Sequence, residues 1–508
     1  MAPRLFSRCL TFDTCLVSKV DRTLSVRHIT VVLGRRRPIR VPLLRFISPL
    51  IRGLFYHLSA AALWGCIATL GLISAEAQVA NQKVNHRPRG ELRELAIITC
   101  PDSQMVPGQT FGEGLAMSGN TLVIGAPNRT GINGQLYAGE GYVYVAPPDG
   151  WGAGKPVLAA RLTASDAQTQ IWPDLGSVVA ISGDTIVLGA ANSGVGTYAR
   201  EAYVYVKPAS GWTTATESAR LQSPSARFQL GGNGAVAIHG DIIVAECIDT
   251  TYTGIGSAGC VAVYQKPAQG WVGDIMPIAL LTDGGGGDTL GWQLAIERDT
   301  IVASAPAALP GPGGSGASGA VQVYEKPANG WQTTATPTAT LVTSDSSTGY
   351  MGYYIGFSGD TIVAGAPEAL VKGQYNGAAY IFQRKGDHWR SGTETAKLTA
   401  RAPIIPDHGQ AMGDAVAVLG DVIVAGADED TPPDGASYGG EAFTYRKPAS
   451  GWQSTSHYDG LAYDPNAYPE LQLGISAAID GDTLAAGAWA ADSNTLTVPG
   501  AVYLFRLP

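Results

Sequence analysis

One pattern of apolar and polar positions recurs seven times between about residue 94 and the C-terminus. In the copy at residues 175–221, LGSVVAIS alternates in polarity, Ser182-Gly183-Asp184 forms a polar turn, and TIVLGA is a continuous apolar run. A polar loop then leads to a third run, EAYVYVKP, to the turn PASGW and to a fourth run that ends near Leu221. Short apolar runs between turns rich in Gly and Pro are typical of strands, so each copy predicts four antiparallel strands.

The copies follow one another at a nearly constant interval. Their equivalent turn positions are 64, 57, 58, 61, 61 and 61 residues apart; they are Asn120, Asp184, Asp241, Asp299, Asp360, Asp421 and Asp482. Four-stranded units repeated at a fixed period are typical of β-propeller blades. The sequence therefore predicts an all-β protein, a seven-bladed β-propeller of four-stranded antiparallel blades.

The two ends of the chain complete this prediction. The seventh copy stops at Pro508, just after its third strand, and residues 94–99 form an unassigned strand before the first copy. That strand resembles the fourth strands ARLTA and AKLTA, so we expect it to complete the last blade and close the ring, which removes an exposed sheet edge. The predicted domains are an N-terminal extension with a signal peptide (1–77), a linker (78–93) and the propeller (94–508).

The order of motifs in each copy resembles that of FG-GAP repeats. Phe111-Gly112, or a Leu-Gly or Met-Gly pair in later copies, is followed by an SGDTIV-like turn, then GAP, then a YVY strand. The resemblance covers roughly residues 94–508 and is similar to the short bacterial subtype. It implies an integrin α-subunit-like propeller with a role in adhesion or recognition. Calcium is possible by this resemblance, but the short SGD turns lack the alternating carboxylates of a calcium loop, so we expect no cofactor and no metal.

Charge is divided unevenly along the chain. Residues 1–52 hold 11 basic and 2 acidic side chains, whereas the remainder holds 23 basic and 40 acidic side chains. Because phosphate binding requires a basic surface, the acidic body disfavours nucleic acid as a partner.

An apolar stretch near the N-terminus predicts export. It runs from about Leu54 to Ser74, follows Arg45 and Arg52, and ends in Ala75-Glu76-Ala77. A basic flank, an apolar centre and small residues at −3 and −1 are typical of a signal peptide cleaved after Ala77, although the stretch is also about long enough to anchor the chain. The long basic extension suggests that the true start codon is further in. Cleavage predicts a secreted, cell-surface or periplasmic protein without stable membrane insertion.

The cysteines of the mature chain fit an oxidising compartment. Cys247 and Cys260 stand at the two ends of one connection, where a disulfide is possible, and Cys100 is left over.

Strand order predicts which face of the propeller binds a partner. The first–second and third–fourth connections are short and uniform, whereas the second–third and fourth–first connections, which leave from the opposite face, are long and varied. Variable loops on a rigid scaffold are where recognition usually occurs. Aromatic residues in these loops are the candidate ligand-binding residues: Trp172, Tyr252, Tyr375, Tyr438, Tyr468 and Trp489. Tyr463 and the acidic Asp249, Asp428 and Asp430 accompany them. By contrast, the Trp that recurs in each GW turn is expected to pack between blades.

No motif for catalysis is present: the chain has no nucleophile elbow, P-loop or HExxH, and its histidines lack metal-ligand spacing. We therefore predict no catalytic residues, and a non-enzymatic propeller that binds an extracellular protein or glycan through the long-loop face. Two alternatives stay open. One is a polysaccharide lyase or hydrolase, which a His, Tyr or carboxylate cluster at the central axis would favour. The other is a purely structural module of a surface complex.

Overall fold

The computed structural model divides the chain into two units, Met1–Asn85 and His86–Pro508. In the first, it describes only the antiparallel strands β1 (His28–Val31) and β2 (Ile39–Pro42). In the second, it describes residues 90–101, 110–127, 138–166, 174–190, 202–230, 235–251, 258–285, 288–308, 318–345, 349–403, 409–433, 437–467, 469–488 and 500–508.

The second unit is a seven-bladed propeller, which confirms the predicted fold class. Each blade begins with an inner strand next to the axis: β4 (Leu115–Ser118), β8 (Leu175–Ser182), β14 (Val236–His239), β19 (Leu294–Glu297), β23 (Ile355–Ser358), β30 (Ala415–Leu419) and β34 (Leu473–Asp480). The second strands are β5 (Thr121–Ala126), β9 (Thr185–Ala190), β15 (Ile242–Asp249), β20 (Thr300–Ala305), β24 (Thr361–Ala366), β31 (Val422–Ala427) and β35 (Thr483–Ala488).

The third strands are β6 (Glu140–Val145), β10 (Ala202–Val206), β16 (Gly259–Gln265), β21 (Ala320–Glu325), β27 (Ala378–Gln383), β32 (Glu441–Arg446) and β36 (Ala501–Arg506). The fourth strands of blades 1 to 6 are β7 (Val157–Thr163), β12 (Ala219–Leu221), β18 (Ala279–Leu281), β22 (Ala339–Val342), β29 (Ala396–Leu398) and β33 (Gly460–Ala462). Neighbouring strands within a blade pair antiparallel, as in Leu115↔Ile124 and Ile124↔Tyr142 of blade 1. The second and third strands are almost wholly buried, because both of their faces pack against neighbouring blades.

The outer edges of several blades receive a short strand from the following blade. The strands β11 (Ala215–Thr216), β17 (Gly273–Ile275) and β28 (Gly392–Thr393) pair parallel with β7, β12 and β22. This lateral pairing, which the sequence analysis did not predict, covers edges that would otherwise expose unpaired backbone groups.

In blade 7, β3 (Arg93–Thr99) lies at the outer edge of the sheet and pairs antiparallel with β36. The position of β3 agrees with the expected fourth strand of this blade. Closure of the ring by this strand stays a prediction.

Three smaller strands lie in the connections. β13 (Phe228–Leu230) extends the sheet of blade 3 by pairing with β15. The strands β25 (Leu370–Val371) and β26 (Gln374–Tyr375) form a hairpin between the second and third strands of blade 5. Among the described residues, no helix is long and apolar enough to cross a membrane.

The hydrophobic core is divided among the interfaces between adjacent blades. Trp271 of blade 3, for example, is 1% exposed and packs in one cluster with Val187 and Val204 of blade 2. The equivalent tryptophans of the other GW turns, which include Trp452, are also buried, and so is Trp389 of the DHW turn. The repeated Trp is therefore a packing residue, as the sequence predicts.

The recurrent aspartates of the SGD turns are structural as well. Asp184 pairs with Lys207 at 3.1 Å and Asp241 with Lys266 at 3.4 Å, so that the first turn of a blade is bound to its third turn. The serine of the turn reaches the next blade, because Ser182 Oγ accepts a hydrogen bond from the backbone N–H of Gly240 at 3.1 Å. These contacts give the recurring turn a structural role within and between blades.

Candidate functional site

A cavity of about 580 Å³ opens around the propeller axis, and we call it the axial pocket. It is lined by the residues at which the inner strands begin, together with Asp428, which directly follows the second strand of blade 6. Fourth–first and second–third connections share one face, so the pocket lies on the face that carries the long loops. Its volume is in the usual range of ligand pockets.

The residue that follows each FG-like pair lines this pocket. These residues are Glu113, Ser177, Trp292, Tyr353, Asp414 and Ile475, one from each blade in which the position is described. Because they occupy the same place in successive repeats, the rotation of the ring brings them to a common centre.

Local backbone geometry fixes this placement. In blade 6, Met412 is fully buried and anchors the chain, and Gly413 follows with φ of 102°, a left-handed conformation that glycine adopts easily. The N–H of Gly413 donates to the carbonyl of Gly426 in the second strand of the same blade at 2.8 Å. The neighbouring blade approaches closely, since a Cβ on Gly365 would lie 2.0 Å from the carbonyl oxygen of Gly413. The glycines of the FG-like and GAP-like motifs thus turn the chain so that Asp414 faces the axis.

Three aromatic side chains form one side of the pocket. The rings of Trp292 and Tyr353 lie 5.4 Å apart between centroids, and those of Tyr353 and Tyr354 lie 5.5 Å apart in an edge-to-face arrangement. These spacings are typical of favourable aromatic pairs, which hold the ring faces in a fixed orientation.

Glu113 contributes a carboxyl group from blade 1. Its pKa is raised from 4.5 to about 7: burial is the main cause, a hydrogen bond with Thr110 acts in the opposite direction, and the charge of Asp174 adds a smaller increase. Burial disfavours the charged form of a carboxyl, so this side chain gains and loses its proton near neutral pH.

Asp414 and Asp428 form a second acidic centre. Burial is the main cause that raises the pKa of both groups, and the charge of Glu429 adds to it. The two carboxyls face each other closely enough to hold one proton between them, as two adjacent carboxylates do when they cannot both ionise. Tyr354 lies within the electrostatic influence of Asp414, Glu113 and Asp428, all of which raise its pKa after burial does.

A buried polar network fixes the segment that carries Asp428. Asp430 accepts hydrogen bonds from Gln410 Nε2 at 2.5 Å and from the N–H of Thr431 at 2.7 Å. Arg401 donates to Glu441 Oε1 at 2.8 Å and lies 3.4 Å from Asp430. Asp428 is therefore positioned by its neighbours.

Two of the six predicted aromatic binding residues are described, and neither lines the axial pocket. Tyr375 is 61% exposed on the hairpin of blade 5, and Tyr438 is partly buried in the second–third connection of blade 6. The other four, Trp172, Tyr252, Tyr468 and Trp489, lie outside the described residues.

The remaining loop residues named from the sequence divide into different environments. Tyr463 is buried in the core of blade 6, so it is a packing residue. Asp249 is bound by Arg227 at 2.7 Å, and that hydrogen bond is the main cause that lowers its pKa. Asp428 alone among them lines the axial pocket.

The structure joins Cys247 and Cys260 in a disulfide between adjacent strands, and Cys100 is free and buried. Among the described residues, no three His, Cys, Asp or Glu side chains are grouped as metal ligands would be. Asp428 lies beside Asp414, whereas Asp430 belongs to the network of Gln410, Arg401 and Glu441.

Sequence reasoning missed Glu113, Trp292, Tyr353 and Asp414 as site residues. An alignment of the repeats contains a signal for these residues. The residue type after the FG-like glycine differs from repeat to repeat, although the neighbouring positions are nearly constant. A variable position inside an otherwise constant inner strand indicates that packing does not determine it.

Comparisons with known proteins bear on the repeats and the fold. Residues 93–144 and 157–205 match the FG-GAP repeat family, which confirms the predicted repeats there. No curated protein sequence matches the chain.

Among solved structures, the β-propeller domain of the Trilobed protease from Pyrococcus furiosus is similar with a TM-score of 0.43 and 9% identity, over 79% of this chain and 94% of that one. An acylaminoacyl peptidase, solved in complex with Z-Gly-Gly-Phe-chloromethyl ketone, is similar with a TM-score of 0.43 and 10% identity over 78% of this chain. The chain spans about half the length of that peptidase, at 51%.

Proposed function

We propose that this propeller, which carries FG-GAP repeats over residues 93–205, is an exported, non-enzymatic recognition module that binds a glycan in its axial pocket. The observation that carries the proposal is the composition of the pocket, which is lined by both aromatic side chains and carboxyl groups. Aromatic rings pack against the apolar faces of sugar rings, and carboxylates accept hydrogen bonds from sugar hydroxyls.

The shape of the site favours a glycan over a protein surface. A concave cavity of about 580 Å³ encloses a small ligand or a few sugar units. A stable protein interface, by contrast, buries roughly 800 Å² on each partner and is usually far more extended. A glycan chain could enter the pocket with its end or with one side branch.

Export is supported by two independent features. The sequence predicts a signal peptide that ends at Ala77, and the propeller contains the disulfide between Cys247 and Cys260. Disulfides persist in oxidising compartments and are rare in the cytosol, so both features point in the same direction.

The test is a glycan-array screen of the full chain, expressed for export, followed by titration of the best glycan. Trp292→Ala removes a ring from the pocket, and we expect it to weaken binding at least tenfold, which corresponds to ~1.4 kcal/mol. Tyr375→Ala is the matched control, because it removes an exposed aromatic ring on the same face without touching the pocket. The axial location is refuted if Tyr375→Ala abolishes binding and Trp292→Ala does not.

A second candidate is a glycan-cleaving enzyme on the same scaffold. The observation that favours it is the convergence of Glu113, Asp414 and Asp428, because hydrolysis of a glycosidic bond commonly uses one protonated and one ionised carboxyl. The measurement is the release of reducing ends from bound polysaccharide. Turnover that Glu113→Gln abolishes, with binding retained, would replace the non-enzymatic proposal with this one.

A further inference from the structure

The axial pocket holds three carboxyl groups, and no basic group of the described residues lies beside them. None of the described residues that line it is Lys, Arg or His. The ionised groups that act on Glu113, Asp414 and Asp428 are all carboxylates: Asp174 near the first, and Glu368 and Glu429 near the pair. Without a counter-charge, buried carboxyls favour their protonated form, and a cationic ligand would allow them to ionise.

One carboxyl oxygen of Asp428 lacks a hydrogen-bond donor among the described residues. Its side chain is almost completely buried, at 2% exposure, yet it lines the pocket. Its Oδ1 receives no hydrogen bond from any N–H or O–H donor in the described part of the chain. The group that its carboxyl faces is another acid, Asp414. A buried acceptor of this kind normally has a donor, and Asp428 is also one of the residues that line the pocket.

The aromatic side of the pocket is suited to a cation as well. Trp292, Tyr353 and Tyr354 form a continuous row, with 5.4 and 5.5 Å between successive ring centroids. The faces of such rings attract ammonium groups, most strongly where water is excluded, and tryptophan does so best. Carboxyls and aromatic rings in the same pocket thus offer a positive group two kinds of attraction.

We propose that the axial pocket binds a primary ammonium group, and that its ligands are amine-bearing glycans such as oligomers of glucosamine. This inference rests on the proposed function and narrows its ligand class. The ammonium group lies among Glu113, Asp414 and Asp428, pairs with their carboxyl groups, and contacts the aromatic row. A neutral glycan would bury the same carboxyls further and favour their protonated form.

A cationic ligand and a neutral ligand should change the number of protons bound to the protein in opposite directions. A bound cation favours the ionised form of the carboxyls, lowers their pKa values and releases protons to solvent. A neutral ligand adds to their burial, raises their pKa values and takes protons up. The groups that face the acids from neighbouring elements are Asp174, Glu368, Glu429, Tyr353 and Tyr354, and none of them supplies a positive charge.

The experiment is isothermal titration calorimetry of the full chain at pH 6 in two buffers of different ionisation enthalpy. The probes are glucosamine oligomers, the same oligomers N-acetylated, and spermidine as a cation without a sugar. We expect glucosamine oligomers to bind at least tenfold tighter than the N-acetylated ones and to release protons. Glu113→Gln and Asp428→Asn, each first shown to unfold cooperatively, should reduce both the affinity and the number of protons released. Tyr375→Ala should change neither.

Every outcome decides one of the two proposals. Equal or tighter binding of the N-acetylated oligomers, with proton uptake, overturns the inference and leaves glycan binding standing. If spermidine binds with proton release and neither oligomer binds, the result supports the ammonium site and overturns the proposal that the ligand is a glycan. If none of the probes binds, the inference is overturned, and the array screen decides the proposed function separately.

Discussion

Replacing Glu113 with glutamine should stabilise the propeller at neutral pH. Glu113 is a carboxyl in the axial pocket whose burial raises its pKa from the ordinary 4.5 to about 7. Glutamine keeps the size and hydrogen-bonding shape of the side chain but carries no charge, so the change isolates the effect of ionisation.

The magnitude follows from the difference in pKa. Since the folded state holds the proton more tightly than the unfolded chain, the contribution of Glu113 is fully present below about pH 4.5 and is lost as the pH rises through about 7. A shift of this size corresponds to a loss of at most about 3 kcal/mol above pH 7, with a slope of ~1.4 kcal/mol per pH unit in between. The variant should match the wild type near pH 4.5 and exceed it by up to that amount at pH 8.

The assay is denaturant unfolding of both proteins at a series of pH values between 4.5 and 8. Asp149→Asn is the matched control, because Asp149 lies exposed in a short turn of blade 1 and its replacement also removes one carboxylate. A difference between Glu113→Gln and the wild type that does not change with pH, or that falls as the pH rises, would refute the reasoning.

Three further changes test the packing of the blades by unfolding measurements. Trp271→Ala should cost about 3–5 kcal/mol, because it empties the interface between blades 2 and 3, whereas a loss under about 1 kcal/mol would contradict that role. Reduction of the disulfide between Cys247 and Cys260, 13 residues apart, should lower the free energy of unfolding by ~3 kcal/mol, and an unchanged melting temperature would argue against it. Gly413→Ala should destabilise more than Gly420→Ala, since both have positive φ but only a Cβ at Gly413 would lie 2.6 Å from a backbone carbonyl; equal losses would show that the close approach is unimportant.

The repeats made the architecture predictable. Seven copies show the same order of turns and apolar runs, so each copy supports the interpretation of the others. From the sequence alone, one could infer the positions of the strands, the packing role of Trp271 and its equivalents, and the structural role of the turn aspartates. The parallel edge strands such as β17 could not, because Gly273–Ile275 carries no strand pattern of its own and pairs only with a neighbouring blade.

The site was much less predictable, for a geometric reason. Glu113, Tyr354 and Asp414 come from three blades and meet only because the ring rotates each blade about one axis. The sequence favoured Tyr375, an exposed loop aromatic that lies outside the pocket, over Trp292, which lies two residues before β19 and resembles a packing residue in the sequence. Nor can a sequence show that the carboxyls of Asp414 and Asp428 meet with no basic side chain from the described residues lining their pocket, since that depends on how the blades are arranged around the axis.

The central claim is that the axial pocket is where this propeller binds its ligand. The most direct test is a crystal structure of the protein soaked with glucosamine oligomers. We predict a sugar at the axis, with its ring against Trp292 and its amine beside Asp428. A sugar bound instead on the outer loops near Tyr375, with the axial pocket holding only water, would contradict the account.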